Sequence, residues 1–195
     1  MTQPVQPNLL AVDWSAIPAP ADDHAMDHLR GVKLPAVALP ATDGTTVTLA
    51  TVPGRVVVYG YPMTGQPGVS LPDGWDQIPG ARGCTPQSCA FRDHHAELKA
   101  AGATAVYGLS TQDTAYQHEA ATRLHLPFPL LSDSQLTFAT AARLPTMIVD
   151  SKTLLNRFAL VLDEGVVSAL FYPVFPPDQN AGDVLAWLTS TPRSA

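Results

Sequence analysis

Two residues of this 195-residue chain have the type and spacing for redox chemistry, Cys84 and Cys89. They sit in Gly83-Cys84-Thr85-Pro86-Gln87-Ser88-Cys89, where a Gly/Pro-rich stretch gives way to a helical pattern. A thiol at such a junction meets the positive end of a helix dipole and can accept from free backbone N–H groups, both of which favour thiolate over thiol. Arg82, two residues before Cys84, adds to that field. A thiolate that attacks a peroxide O–O bond becomes a sulfenic acid, with which a neighbouring thiol condenses. Cys89 is the candidate neighbour, since the chain has no third cysteine.

Other uses of the pair compete with this one. A buried cysteine can be a small apolar filler. A metal site on Cys84, Cys89, His94 and His95 fails on geometry, because steps of five along a helix turn about 140° each and point the ligands apart. A thioredoxin-type disulfide exchanger wants Cys-x-x-Cys, whereas four residues intervene here. No metal and no cofactor are expected.

The elements that must position the pair follow from period and punctuation. Residues 1 to 31 hold Pro4, Pro7, Pro18 and Pro20 with no sustained period and read as an N-terminal extension, an arm or loosely packed lead-in, before one domain over 32–195. Asp43-Gly44 turns into an edge strand at 45–49, and Arg55 to Tyr61 is a continuous apolar run, the mark of a buried central strand. From Pro62 to Gly83 five Gly and four Pro forbid regular structure, yet Trp75 and Ile78 argue for a functional loop over a disordered linker. Phe91, His94, His95 and Leu98 recur at i, i+3, i+4 and i+7, which predicts a helix over 85–101 stopped by Gly102. A strand at 104–110, a helix over 113–124 capped by Ser110 or Thr111, and a shorter helix after 126–133 come next. Strands at 155–162 and 166–172 joined by Asp163-Glu164-Gly165, then a helix over 180–188, close the chain. This order gives an α/β fold, a mixed central sheet flanked by helices, in the thioredoxin-like sequence of elements; period alone does not exclude other α/β sheets.

Composition excludes several partners. A net charge of −6 with no Lys/Arg cluster argues against nucleic acid, which needs several cations on one surface. The first residues lack a cationic start followed by an apolar run, and no stretch approaches the roughly 20 apolar residues that cross a bilayer. The expected place is the cytoplasm, away from membranes, as a monomer or homodimer.

The segment GCTPQSCAFRDHHAEL at 83–98 resembles the peroxidatic helix of peroxiredoxins of the Q type, the bacterioferritin-comigratory-protein branch, whose two catalytic cysteines lie five apart. YGYP at 59–62, LPFPLLSD at 126–133 and RFALVLDEG at 157–165 are similar to further stretches of that family, in collinear order over roughly residues 33 to 189. The resemblance implies a thiol peroxidase acting on hydrogen peroxide and organic hydroperoxides. In it Cys84 is the peroxidatic and Cys89 the resolving cysteine, Arg157 orients thiolate and peroxide, and an intramolecular Cys84–Cys89 disulfide is recycled by a thioredoxin-like donor. One departure stands out. Where the family has Pro-x-x-x-Thr-x-x-Cys, this chain has Gln77 and Ala81, so the expectation is that Pro62 and Thr64 take those places, with Thr64 folding back over Cys84. The rival is a redox-sensing or interaction protein on the same fold, or a thiol:disulfide oxidoreductase.

Lesser candidates have plainer readings. Arg143 before LPTMIVD is one residue too far from Asp150 to fit the family's spacing and reads as a solvated helix-end cation. Arg92 lies about 12 Å along a helix from Cys84, out of reach of that thiolate. The six His are scattered, and FYPVFPPD at 171–178 either faces a partner or, in the plainer reading, locks the last strand to the last helix.

Overall fold

A computed structural model describes residues 12–192. In chain order the elements are β1 (Leu39–Pro40), β2 (Thr46–Val47), β3 (Arg55–Gly60), α1 (Cys84–Asp93), α2 (His95–Ala100), β4 (Ala105–Ser110), α3 (Thr114–Arg123), β5 (Leu130–Ser132), α4 (Thr137–Ala142), β6 (Thr146–Val149), β7 (Lys152–Leu155), β8 (Phe158–Asp163), β9 (Val166–Phe171) and α5 (Asn180–Ser190). The main sheet runs β5-β4-β3-β8-β9, with β3, β4 and β5 parallel and β8 and β9 antiparallel. β3 lies at its centre, and each of its residues is buried, as an unbroken Val run requires.

The two-residue period of β3 splits the interior into two layers. Val56 and Val58 face a core with Phe138 and Ala142 of α4 and with Met26 and Leu29. Val57 and Tyr59 face the other, with Phe91 of α1, Leu98 of α2, Val184 and Leu188 of α5, and Cys84 itself. The mixed sheet flanked by helices is as expected from the order of elements.

Several boundaries differ from the sequence reading. The helix expected over 85–101 is two helices, because His94 sits at φ −89°, ψ 3°, outside helical values, while its ring pairs with Glu97. The cap of α3 is Asp113, whose Oδ1 accepts from the Tyr116 N–H at 2.8 Å, not Ser110 or Thr111. The strand expected at 45–49 is the short β2, paired with β1 outside the main sheet. β5 and the β6–β7 hairpin went unforeseen; the hairpin turns through Asp150 and Ser151 at positive φ, without the glycine that marks such turns.

The N-terminal extension falls partly outside the described residues, at 1–11. From residue 12 onward it is held at particular side chains. Met26 and Leu29 belong to a core layer, and Trp14 Nε1 donates to Asp178 Oδ2 at 2.9 Å while its ring meets Phe175 edge-on. The segment 171–178 therefore ties β9 to α5 and also holds the N-terminal arm.

Candidate active site

Cys84 opens α1, at the end of the loop that leaves β3. The first N–H groups of a helix have no partner within it, so they point at whatever lies beside residue 84. The entry into the helix depends on Gly83, at φ +109°, where a Cβ would come within 2.6 Å of Pro177 and 2.8 Å of Trp14. No side chain fits that crossing.

Arg157 immediately precedes β8. Antiparallel pairing sets Phe158 opposite Gly60, so residue 157 lies where β3 exits into the loop. Arg157 is 2% exposed. Nη2 donates to Cys84 Sγ at 3.2 Å and is shared with the carbonyls of Gly80, Ala81 and Arg82 at 3.1 to 3.2 Å. Nη1 donates to Gln87 Oε1 at 2.5 Å, and Gln87 Nε2 donates to Asn180 Oδ1 at 2.9 Å. A chain of buried bonds thus runs from the sulfur through Arg157 and Gln87 to the start of α5. The sulfur itself lies 3.6 Å from the Ala81 carbonyl, so Cys84 is held from two sides.

Both cysteines are free. They occupy one intact helix five residues apart, which separates their Cα atoms by roughly 8 to 9 Å, beyond the 7 Å a disulfide tolerates. Cys89 is buried. Burial pushes its thiol up from the ordinary value, while the Arg92 guanidinium pulls it back.

A cavity of about 300 Å³ opens onto Cys84. Met63, Val69, Leu71 and Trp75 give it an apolar wall, and Thr85, Pro86, Arg82 and Arg123 complete the rim. Arg82 is engaged with Asp76, and Arg123 with Glu119 and the Gly65 carbonyl. A more open cavity of about 710 Å³ lies across the same loop but touches neither cysteine. The thiol-bearing one is the candidate site.

Thr64 does not fold back over Cys84. Its hydroxyl and its N–H both donate to Gln112 Oε1, at 3.2 and 3.0 Å, and its carbonyl accepts from Gln112 Nε2. Met63 and Gly65 on either side line the cavity; Thr64 and the buried Pro62 do not. The reason is the Gln112 amide, which satisfies three polar groups of residue 64 at once and draws it towards the β4–α3 connection. Ala81 presents only a methyl, packed with Met63 and Trp75. Arg143 caps α4 at its exposed C-terminal end, and Arg157 is the arginine that bonds the sulfur. Sequence reasoning missed Gln87 and Asn180. Gln87 had a signal, since it lies one turn after Cys84 on the same helix face; Asn180 had none, because only the tertiary packing of α5 on α1 brings it there.

The Redoxin family model matches residues 29–185. The chain is 36% identical over 163 residues to the chloroplastic peroxiredoxin Q of Oryza sativa subsp. japonica, covering 83% of this chain and 67% of that protein. It is 34% identical to the chloroplastic peroxiredoxin Q of Populus jackii, over 83% of this chain and 68% of that one. Among solved structures, the peroxidoxin BcpB of Mycobacterium tuberculosis superposes with a TM-score of 0.67 at 28% identity, covering 85% of this chain and 98% of that one. The sheet and helices described above are therefore of the thioredoxin-like kind.

Proposed function

Because the chain belongs to the redoxin family, in its peroxiredoxin Q branch, and is a thiol-dependent peroxidase, we propose that Cys84 attacks the hydroperoxide and Cys89 resolves the product. The observation that carries this reading is the bond from Arg157 Nη2 to Cys84 Sγ at 3.2 Å, at a helix start that opens onto a cavity. The Cys84 thiolate attacks one peroxide oxygen, and the O–O bond breaks. The departing oxygen takes a proton and leaves as water or an alcohol, and Cys84 keeps the other as a sulfenic acid. The Cys89 thiolate then attacks the Cys84 sulfur; an S–S bond forms, the S–O bond breaks, and hydroxide leaves as water. Two electrons from a thioredoxin-type dithiol restore both thiols.

The second step needs movement. Two sulfurs on one intact helix cannot meet, so the first turn and a half of α1 must open, a local event against a core that stays packed. Pro86 near the helix start leaves few hydrogen bonds to break on its N-terminal side. Thr64 acts as a loop brace through Gln112, with its hydroxyl turned to that amide. We further propose one domain over 32–195 in a monomer or homodimer, with 1–31 as an N-terminal extension, working in a reducing compartment such as the cytoplasm. No helix among the described residues is long and apolar enough to cross a membrane.

Steady-state peroxide consumption with a dithiol reductant tests the reading. Wild type turns over, and Cys84→Ser does not, because no other residue can attack and then be resolved. Full activity in Cys84→Ser contradicts the assignment.

A further inference from the structure

The end of α1 that must open for resolution is held from outside by the N-terminal arm. Within the helix it has few bonds to lose. The Gln87 N–H donates to the Gly83 carbonyl at 3.0 Å, and Pro86 has no N–H to give. Outside the helix, the Trp14 ring lies against Gly83, where an added Cβ would meet it at 2.8 Å and meet Pro177 at 2.6 Å. Trp14 is itself fastened. Nε1 donates to Asp178 Oδ2 at 2.9 Å, the ring meets Phe175 edge-on at 6.0 Å, and Asp13 Oδ1 accepts from the Ser15 N–H at 3.0 Å, fixing the short turn Trp14–Ala16. The arm reaches the same stretch a second time, since a Cβ on Gly80 would touch Pro20 at 3.7 Å, and the Gly80 carbonyl accepts from Arg157.

Resting on the assignment of Cys89 as the resolving thiol, we propose that Trp14 is a positioning residue for the second step. Lodged between Gly83 and the Pro177–Gln179 turn, it holds the start of α1 closed and sets how fast the Cys84 sulfenic acid meets Cys89. The first step uses the closed form, in which Arg157 Nη2 reaches Cys84 Sγ. The second uses the open form, in which Gly83 and Cys84 leave the Trp14 ring.

What the clamp is tied to matters as much as what it touches. The turn carrying Asp178 leads into α5, whose Ala181, Val184 and Leu188 are buried in the core, so the indole is anchored to a part that stays in place while α1 moves. Opening therefore costs the contact between Gly83 and Trp14 in addition to the helix's own bonds. The sulfenic acid lives longer as a result.

Rapid-quench mass spectrometry of the full chain after one equivalent of hydrogen peroxide separates sulfenic acid from disulfide and reads both steps. In Trp14→Ala disulfide formation quickens about tenfold, the factor that one hydrogen bond to a charged group carries. Sulfenic-acid formation keeps the wild-type rate, since the closed form still predominates. Asp178→Ala, which keeps the indole and removes its acceptor, quickens resolution by a smaller factor. Amide exchange of the reduced chain follows the same order: residues 83–89 exchange faster in both variants, while 55–60 and 105–110 stay as protected as in wild type. A merely structural Trp14 lowers protection of β3 and β4 along with α1 and leaves the ratio of the two rates where it was. That result, or slower resolution in Trp14→Ala, overturns the inference and leaves the role of Cys89 intact. If Trp14→Ala does not fold, Asp178→Ala carries the test, with an unchanged resolution rate as the contrary result. A wild-type protein that never forms the Cys84–Cys89 disulfide overturns the assignment beneath it.

Discussion

The two sides of Cys84 are built from different materials. Towards α5, Arg157, Gln87 and Asn180 form a chain of buried hydrogen bonds in which each side chain is at most 2% exposed. Towards the 62–83 loop, Met63, Val69, Leu71 and Trp75 form an apolar wall, Ala81 contributes a methyl, and the hydroxyl of Thr64 is spent on Gln112. The rigid polar side aims a donor at the sulfur, a demand common to every hydroperoxide. The apolar side can only favour or disfavour the organic part of the substrate. Activation and selection are thus separable, and substitutions on the two sides should give different signatures.

The largest effect is expected from Arg157→Ala. It removes the donor to the sulfur and should slow sulfenic-acid formation by about 10²- to 10³-fold, the range for losing one preorganised donor to a reacting anion. Stopped-flow rates for hydrogen peroxide and for a bulky organic hydroperoxide should fall together, and Arg143→Ala should leave both unchanged. A loss confined to one substrate would break the division between the two sides.

Next comes Gln87→Leu, which leaves Arg157 Nη1 without its acceptor in a buried setting. A hydrogen bond to a charged group contributes about 1.5 to 3 kcal/mol, so thermal unfolding should report a loss of that order, and the first step should slow about tenfold as the guanidinium loses its aim. Asn180→Ala, one bond further from the sulfur, should show a smaller version of the same pattern. Equal slowing by both variants would mean that the chain acts as a structural block instead of a graded support.

The polar side was only half legible in the sequence. Cys84 and Cys89 could be read from type and spacing, and Arg157 from its place in the RFALVLDEG stretch. Their meeting depends on β8 lying antiparallel to β3, a pairing on which the hairpin signal at 163–165, which joins β8 to β9, is silent. Asn180 was invisible because its role needs α5 packed on α1. The apolar side was hardest to read. A loop rich in Gly and Pro has no period, so nothing in the chain told Met63 and Trp75, which line the cavity, from Thr64, which does not. The fold was more legible: β3, β4, β8, β9 and α5 follow from apolar runs and turn residues. The break at His94 and the β6–β7 hairpin lacked the Gly or Pro that marks such places.

On the apolar side, Trp75→Ala should change selection and not activation. The ratio of rates for a bulky organic hydroperoxide over hydrogen peroxide should fall about fivefold, as lost apolar contact in a half-open cavity allows, with the hydrogen peroxide rate held. An equal fall for both substrates would place Trp75 in support of the sulfur.

The most direct test of the account is single turnover in Cys89→Ser, which keeps both sides of Cys84 and removes only the resolving thiol. After one equivalent of hydroperoxide, mass spectrometry of the peptide holding Cys84 should show one added oxygen, trappable as a sulfenic acid, and turnover should then stop. An unmodified Cys84 while peroxide disappears, or continued turnover in this variant, would contradict the assignment.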